Sequence, residues 1–233
     1  MHVHLPKQLH GWREFLKEYA IIDLGVLTAL ALEQTVESAH ERRLAGEANE
    51  AINQELQTDL DRVAYRARQQ SCILKRLDEI QALLATWHND NAFPAGLHVG
   101  FPGAVGLVDQ RWQANLANDR FSDESQDEQA DQASIYTLVH VIDNVESKEI
   151  ESWSQLRALE IGSQGLSTAS KPMIAQALAN ARNDAEALGG LTGALLAGLR
   201  TAGAGRPAMT PSKDYDVAFP GTACEPMQKG SRL

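Results

Sequence analysis

A stretch without proline or glycine, from Glu47 to His88, is the feature that most constrains the fold. Its seam positions recur in alternating steps of three and four residues, the repeat of a helix that packs along one side. These positions are Leu60, Val63, Ala67, Gln70, Leu74, Leu77, Gln81 and Leu84. Because the seam includes an alanine and two glutamines, it favours one arm of an antiparallel helical bundle over an isolated coiled coil.

Three further helices are predicted after this stretch, and the first is a short one at about Val108–Asn118. The second covers about residues 127–159 and has a broad apolar face. That face consists of Ile135, Val139, Ile142, Val145, Ile150, Trp153 and Leu156. The next helix begins after Ser170, with Pro172 in its first turn. We expect it to become loose, with a break at Gly189-Gly190.

Composition supports an all-α fold. Only 6% of the residues are aromatic, and Ala, Leu, Glu, Gln and Arg dominate, which favours helices over strands. Residues 89–106 contain two prolines and four glycines and are predicted to be an irregular connection. With 31 acidic against 21 basic residues, the chain lacks the basic face that phosphate binding requires, so we predict no nucleic-acid partner.

A nearly apolar segment, "YAIIDLGVLTALALEQ", occupies residues 19–34. A helix of its roughly fourteen apolar residues covers about 21 Å of a hydrocarbon core of about 30 Å, and Phe15 and Leu16 can extend it. Three interpretations stay open: a membrane anchor, a buried core helix, or a signal peptide cleaved after Ala29-Leu30-Ala31. Asp23 opposes the anchor, because a carboxylate in lipid costs at least about 2.5 kcal/mol.

Three stretches of the chain share a recognisable layout. Leu5–Arg43 contains a "HGWREF" lead, the apolar segment and a "VE…R" exit into a long helix; the others are "CILKRLDEIQALL" and "ESWSQLRAL", at Cys72–Leu84 and Glu151–Leu159. Together they resemble a group of proteobacterial proteins similar in layout to the DUF6090-type single-pass membrane proteins. The resemblance implies an N-terminal membrane-anchor helix that leads into a long helix, and it brings no catalytic motif. Together with the helical patterns above, it predicts an all-α fold in which this anchor leads into a long-helix antiparallel bundle.

The predicted organisation combines that resemblance with the apolar, glycine and proline patterns of the sequence. Its parts are a short cytoplasmic lead at 1–18, a transmembrane helix at 19–34, a helical bundle domain at 35–200 and an irregular tail at 201–233. Lys7, Arg13 and Lys17 precede the span, and the positive-inside rule therefore puts the N-terminus inside the cell. We expect a single-pass protein of the inner membrane with its C-terminal domain in the periplasm.

Cys72 and Cys224 are the only cysteines, and they form no CxxC or zinc-binding motif. In an exported domain they can form a disulfide that closes a loop of about 150 residues. In the cytoplasm both would stay reduced. The disulfide is therefore expected if the predicted periplasmic location is correct.

A homodimer is also considered. Gly25 and Ala29 are four residues apart in the apolar segment, a spacing that allows close contact between two helices. The seam from Leu44 to Leu84 could extend that contact, or it could be used within the chain by the helix at 127–159. The sequence leaves both arrangements open.

No catalytic, cofactor-binding or metal-binding residue is identified, and no cofactor is predicted. Ser163 lies in a Gly-Ser-Gln-Gly turn that lacks the first glycine of a nucleophile elbow. His140 is interpreted as a core histidine. The acidic run from Asp123 to Asp131 is interpreted as the start of a helix, and His2, His4 and His10 are not expected to form a specific metal site.

The predicted function is a membrane-tethered helical interaction or scaffold protein of the cell envelope, which is not an enzyme. Its expected partners are the membrane, a second copy and an unknown envelope protein. The alternative is a periplasmic ligand-binding helical module of the kind found in sensors.

Overall fold

The computed structural model describes residues 11–87, 93, 95–118, 120–121, 124–203, 206–212 and 221–227. Its α-helices are α1 (Trp12–Thr86), α2 (Gln110–Ala117), α3 (Gln126–Leu156) and α4 (Lys171–Arg200). Short 3₁₀ turns at Arg157–Ile161 and Thr168–Ser170 lie between α3 and α4. Because these described residues form helices and no β-strand, the predicted all-α class is confirmed.

The chain divides into two compact units, Met1–Asn49 and Glu50–Leu233, and α1 contributes to both. In the first unit, every described residue from Gly11 to Arg43 is exposed except Asp23, which is partly buried. The apolar segment is helical, as predicted. Among the residues that the structure describes, no helix is both long and apolar enough to cross a membrane.

In the second unit, α1 and α3 run parallel. The Tyr136 hydroxyl donates to Glu55, and farther along both helices the Arg66 guanidinium donates to Glu149. Residue numbers therefore rise in the same direction along both helices. The predicted antiparallel arrangement is wrong for this pair.

The fourth helix runs antiparallel to α1. The Gln70 side chain donates to the Ala185 carbonyl, whereas Lys171, at the start of α4, donates to the carbonyl of Trp87 at the end of α1. For α4, the antiparallel prediction is confirmed.

The connection between α1 and α3 explains the parallel pair, because it returns along α1 before α3 begins. Three α1 side chains form hydrogen bonds with its backbone, and they meet it in the reverse of their own order. Arg76 donates to the carbonyls of His98 and Val99, and Arg62 donates to the carbonyl of Gly106. Glu55 accepts from the amides of Arg111 and Trp112. The connection thus brings the chain back to the beginning of the second unit. From there α3 must run in the same direction as α1.

Two clusters of buried apolar side chains hold the helices of the second unit together. One includes Ile73, Leu77, Ile80, Leu84, Trp153, Leu156, Ile174 and Ala181. The other includes Ile52, Leu56, Leu60, Val63, Trp112, Tyr136, Ile142 and Leu195. Each fully buried aliphatic side chain stabilises the fold by about 1.5–3 kcal/mol. Most of the predicted seam from residue 52 onward is therefore buried in the chain's own core.

An ion pair lies inside this bundle. Arg66 and Glu149 are 2.8 Å apart, and their side chains are only 1% and 2% exposed. Burial raises the pKa of Glu149 to about 7, against the opposing effect of the Arg66 charge. Burial likewise lowers the pKa of Arg66, and Glu149 opposes that shift. The neighbouring Ala67, a predicted seam position, is exposed.

Local chemistry sets the ends of α3 and the course of α4. Ser125 and Glu128 form a reciprocal capping box, so the acidic run does begin a helix, as predicted, although Asp123 lies outside the described residues. The expected break at Gly189 is absent, because α4 continues to Arg200. A Cβ on Gly189 would lie 2.7 Å from the Gln70 side chain, so glycine here makes room for a neighbour.

Removing one partner of the buried ion pair should cost more stability than replacing both partners by apolar residues. We expect Arg66→Met to lower the free energy of unfolding by about 3 kcal/mol, because Glu149 would lose its charged partner. The double variant R66M/E149L should lose clearly less than the sum of the two single variants, as measured by urea unfolding followed by circular dichroism. The partly exposed pair Arg182–Asp78, with side chains 28% and 67% exposed, is the control. R182M should cost less than about 1 kcal/mol, and additive losses at Arg66 and Glu149 would contradict a coupled pair.

Candidate functional site

The two cysteines meet at the surface of the second unit. Cys72 lies in α1, and Cys224 lies in residues 221–227, which we call the C-terminal segment. They form a disulfide whose Cα atoms are 5.2 Å apart, within the usual range. Cys72 is partly buried and Cys224 is exposed. The sequence prediction thus named two residues that the structure brings together.

Backbone hydrogen bonds place the C-terminal segment against the returning connection. The amides of Thr222 and Ala223 both donate to the Phe101 carbonyl at 2.9 Å, and the His98 amide donates to the Met227 carbonyl at 2.7 Å. Gly100 has φ +70°, and a Cβ there would lie 2.7 Å from the Thr222 carbonyl oxygen. Only glycine allows the two backbones to approach this closely.

Arg76 joins α1, the connection and the C-terminal segment. Its guanidinium is buried and donates to the carbonyls of His98, Val99 and Glu225, while its Nε lies 2.9 Å from Glu79. Sequence reasoning missed this residue. In the local pattern nothing distinguishes Arg76 from the neighbouring Lys75, which is exposed.

A cleft of about 540 Å³ lies between α1 and the C-terminal segment. It is lined by both cysteines, Lys75, Arg76, Glu79 and residues 223–227. The lining includes two cationic and two acidic side chains. A volume in this range is typical of small-molecule sites in proteins.

A second cluster of chemistry-bearing side chains lies at the start of α2. Glu55 accepts from the Arg111 and Trp112 amides at 2.8 and 3.3 Å and from the Tyr136 hydroxyl at 2.7 Å. One turn later, Asp59 accepts from the Val108 amide at 3.1 Å, while its second oxygen is buried without a partner among the described residues. Both carboxylates therefore fix the backbone that leads into α2.

Burial changes the acidity of this cluster. It raises the pKa of Asp59 from 3.8 to about 7, while the Val108 amide and the Arg62 charge oppose the shift. It also raises the pKa of Tyr136, which is further raised by the hydrogen bond to Glu55. Perturbed acids can mark catalytic sites. Here, however, Asp59 bonds the backbone and Tyr136 bonds Glu55, and neither Asp59 nor Tyr136 lines the cleft beside the disulfide.

His140 lies at the edge of this region and not in the core. Its side chain is 53% exposed, and its Nε2 atom is 3.2 Å from an oxygen of Asp109. The interpretation as a core histidine is therefore wrong. His140 follows buried Val139 in sequence, but the helical rotation of about 100° per residue turns it toward the segment before α2.

The two small residues of the apolar segment lie on the surface of its helix. Gly25 and Ala29 are exposed, and a Cβ placed on Gly25 would meet nothing within 4 Å. The helix–helix contact predicted for them stays a prediction.

The apolar segment exposes large side chains on every side of its helix. Because successive residues are rotated by about 100°, a run of apolar positions covers the whole circumference. The exposed side chains are Tyr19, Ile21, Ile22, Leu24, Val26, Leu27, Leu30 and Leu32. This surface belongs to a single helix and has no cover in the described first unit.

The remaining candidates from the sequence either have no arrangement typical of a catalytic or metal site or lie outside the described residues. The Ser163 hydroxyl lies 3.0 Å from the Phe93 amide and 3.1 Å from its carbonyl, so Ser163 is a turn residue, as interpreted. No cluster of three or more potential metal-ligating side chains occurs within the described ranges. His2, His4 and His10 lie outside them.

Comparisons with protein-family models, curated proteins and solved structures find no match for this chain. The resemblance to the DUF6090-type layout therefore stays a prediction.

The burial of Asp59 should appear in the pH dependence of stability. Between about pH 4 and pH 7 the folded protein keeps a proton on Asp59 that the unfolded chain has lost, so the free energy of unfolding should fall as pH rises through this window. Asp59→Asn should reduce that fall by on the order of 2 kcal/mol. Urea titrations across the window measure it, with the exposed Asp127→Asn as control. Equal pH dependence in wild type and D59N would contradict the buried carboxyl.

The disulfide can be tested in cells. If the second unit resides in an oxidising compartment, an alkylating reagent added at lysis should not modify Cys72 and Cys224. Mass spectrometry should then find their peptides joined within one chain. Non-reducing electrophoresis should show a monomer that migrates faster than the reduced form. Two alkylated thiols would contradict the bridge, and a covalent dimer would show that the cysteines join two chains.

Proposed function

We propose that this protein is a membrane-tethered helical interaction protein of the cell envelope. The apolar segment attaches it to a lipid bilayer, and the helical bundle of the second unit engages an envelope protein. The observation that carries the proposal is the exposure of large apolar side chains around the whole circumference of one helix. Attachment of this kind requires the helix to enter lipid, and it does not require the helix to cross the bilayer.

The distribution of the apolar side chains favours lipid over a single protein partner. A helix that docks on one protein surface needs a stripe on one face and keeps polar residues opposite. Between Tyr19 and Leu32, the only polar or charged positions are Asp23 and Thr28, and the Thr28 hydroxyl donates to the Leu24 carbonyl at 2.6 Å. Lipid surrounds a helix on all sides and therefore fits this surface.

The residues before the segment fit a membrane interface. Trp12, Phe15 and Tyr19 form a ladder with ring centroids 5.9 and 6.3 Å apart, and aromatic rings of this kind concentrate at headgroup level. The formal charge of −10 opposes attraction to anionic lipids. Membrane binding should therefore depend on apolar contact and survive high salt.

The disulfide supports an oxidising compartment for the second unit, since such bonds persist there and are rare in the cytoplasm. A tether at the inner membrane, with the second unit in the periplasm, meets this condition. A second copy that contacts Gly25 and Ala29 is compatible with this tether.

Vesicle flotation tests the tether with the full chain. Wild type should float with neutral phosphatidylcholine vesicles at high salt. Leu27→Glu should reduce the bound fraction at least about tenfold, because it places a second carboxylate in the lipid, whereas Asp23→Leu should increase it.

Leu116→Glu is the matched control, since it adds the same charge to an exposed leucine of α2 in the second unit. It should float like wild type. The proposal is wrong if wild type stays in the soluble fraction, or if L116E and L27E lose binding equally. Sedimentation of the non-floating protein as an oligomer would show that other copies cover the segment instead.

The cleft beside the disulfide favours a second candidate, a ligand-binding helical module. Its volume of about 540 Å³ suits a small molecule. A saturable rise in Tm during a metabolite screen would support this function. The rise should disappear when Pro226→Trp, a change at an exposed position of the lining, fills the cleft.

A further inference from the structure

The Cys72–Cys224 disulfide borders open solvent on the side of the cleft. Structural disulfides generally resist reduction, whereas exposed disulfides are more labile. Here Cys224 is exposed, and both cysteines line a cleft of about 540 Å³, large enough to admit a small thiol compound. Access to the bond therefore does not require the bundle to unfold.

A cationic side chain close to Cys72 favours exchange. Lys75 is exposed, lies three residues after Cys72 on α1 and lines the same cleft. Side chains at this spacing are neighbours on a helix surface. A nearby ammonium stabilises a thiolate, which is the reactive form of the attacking thiol and the form in which Cys72 departs.

We propose that Cys224 is a site of thiol–disulfide exchange, at which a small dithiol reductant opens the bond to Cys72 and releases the C-terminal segment. This inference is independent of membrane attachment. It assigns to the cleft a covalent reaction and a class of co-reactant.

The reaction balances with the dithiol as the only co-reactant. One thiolate of the reductant attacks Sγ of Cys224, a new S–S bond forms, and the bond to Cys72 breaks, with Cys72 leaving as a thiolate that takes up a proton. The second thiol of the reductant then loses its proton and attacks the reductant's own sulfur in the mixed disulfide. The reductant leaves as a cyclic disulfide, two electrons have reduced the protein, and Cys224 leaves as a thiol.

Release would change a defined surface. The C-terminal segment contributes buried Ala223 and partly buried Met227 to the cluster around Leu77 and Trp153. Among the described residues, its other ties include hydrogen bonds to the connection, the bond from Arg76 to the Glu225 carbonyl, and a contact of 3.2 Å between His98 Nε2 and the Glu225 carboxylate. Once the covalent tie is gone, departure of the segment uncovers apolar side chains on the bundle.

The test treats the full-length native protein with dithiothreitol and follows three quantities. Alkylation with mass spectrometry gives the rate of reduction, amide hydrogen exchange gives the protection of residues 221–227, and the dye 8-anilinonaphthalene-1-sulfonate reports exposed apolar surface. We expect reduction at a rate that does not change when mild urea is added. Exchange in residues 221–227 should become at least about tenfold faster, and dye fluorescence should rise, while residues 50–86 keep their protection.

Two variants sharpen the test. Lys75→Met should slow reduction about threefold, whereas Lys148→Met, a change at an exposed lysine of α3, should not. The double variant C72S/C224S should reproduce the fast exchange without any reductant. If that variant does not fold, reduction of the wild type still decides the matter.

Two results would overturn the proposal. The first is reduction that accelerates with urea in step with global unfolding, which would show a bond protected by the fold. The second is a fully reduced protein whose residues 221–227 keep the protection of the oxidised form, which would show that the disulfide does not hold the segment.

Discussion

The fold of the second unit depends on how the extended connection between α1 and α3 forms hydrogen bonds with its backbone amides and carbonyls. A chain that crosses a folded surface without strand partners leaves amides and carbonyls that water or side chains must bond. Here, side chains of the neighbouring helices supply many of those bonds. They include Arg76 at the carbonyls of His98 and Val99, Glu146 at the amides of Val105 and Gly106, Asp59 at Val108, and Glu55 at Arg111 and Trp112.

This requirement accounts for much of the charge inside an acidic helical bundle. Arg76, Glu55, Asp59 and Glu146 are all buried, and each bonds backbone of the connection. Burial costs them solvation and raises the pKa values of Asp59 and Glu146. In return, the connection is held in one register along α1, and α3 starts beside the beginning of the unit. The parallel orientation of α1 and α3 thus follows from side chains that look like ordinary surface residues in the sequence.

The sequence therefore allows the helices to be predicted better than their arrangement. Apolar periodicity located α3 and α4, and the acidic run marked the beginning of α3, because these signals are local. The direction of α3 relative to α1 depends on contacts between residues such as Glu55 and Trp112, which no local repeat encodes. Cys72 and Cys224 could be paired because they are the only cysteines. The role of Arg76, which holds the same segment, could not be predicted, because its partners are backbone carbonyls distant in sequence.

The measurement that tests this account most directly is hydrogen exchange by NMR at the amides of Val105, Gly106 and Val108. If Glu146 and Asp59 hold the connection, these amides should exchange almost as slowly as amides in the middle of α3, although they belong to no helix or sheet. Exchange at the rate of an unprotected loop would contradict the account. In that case the buried carboxylates would need another explanation, and the course of the connection would no longer follow from them.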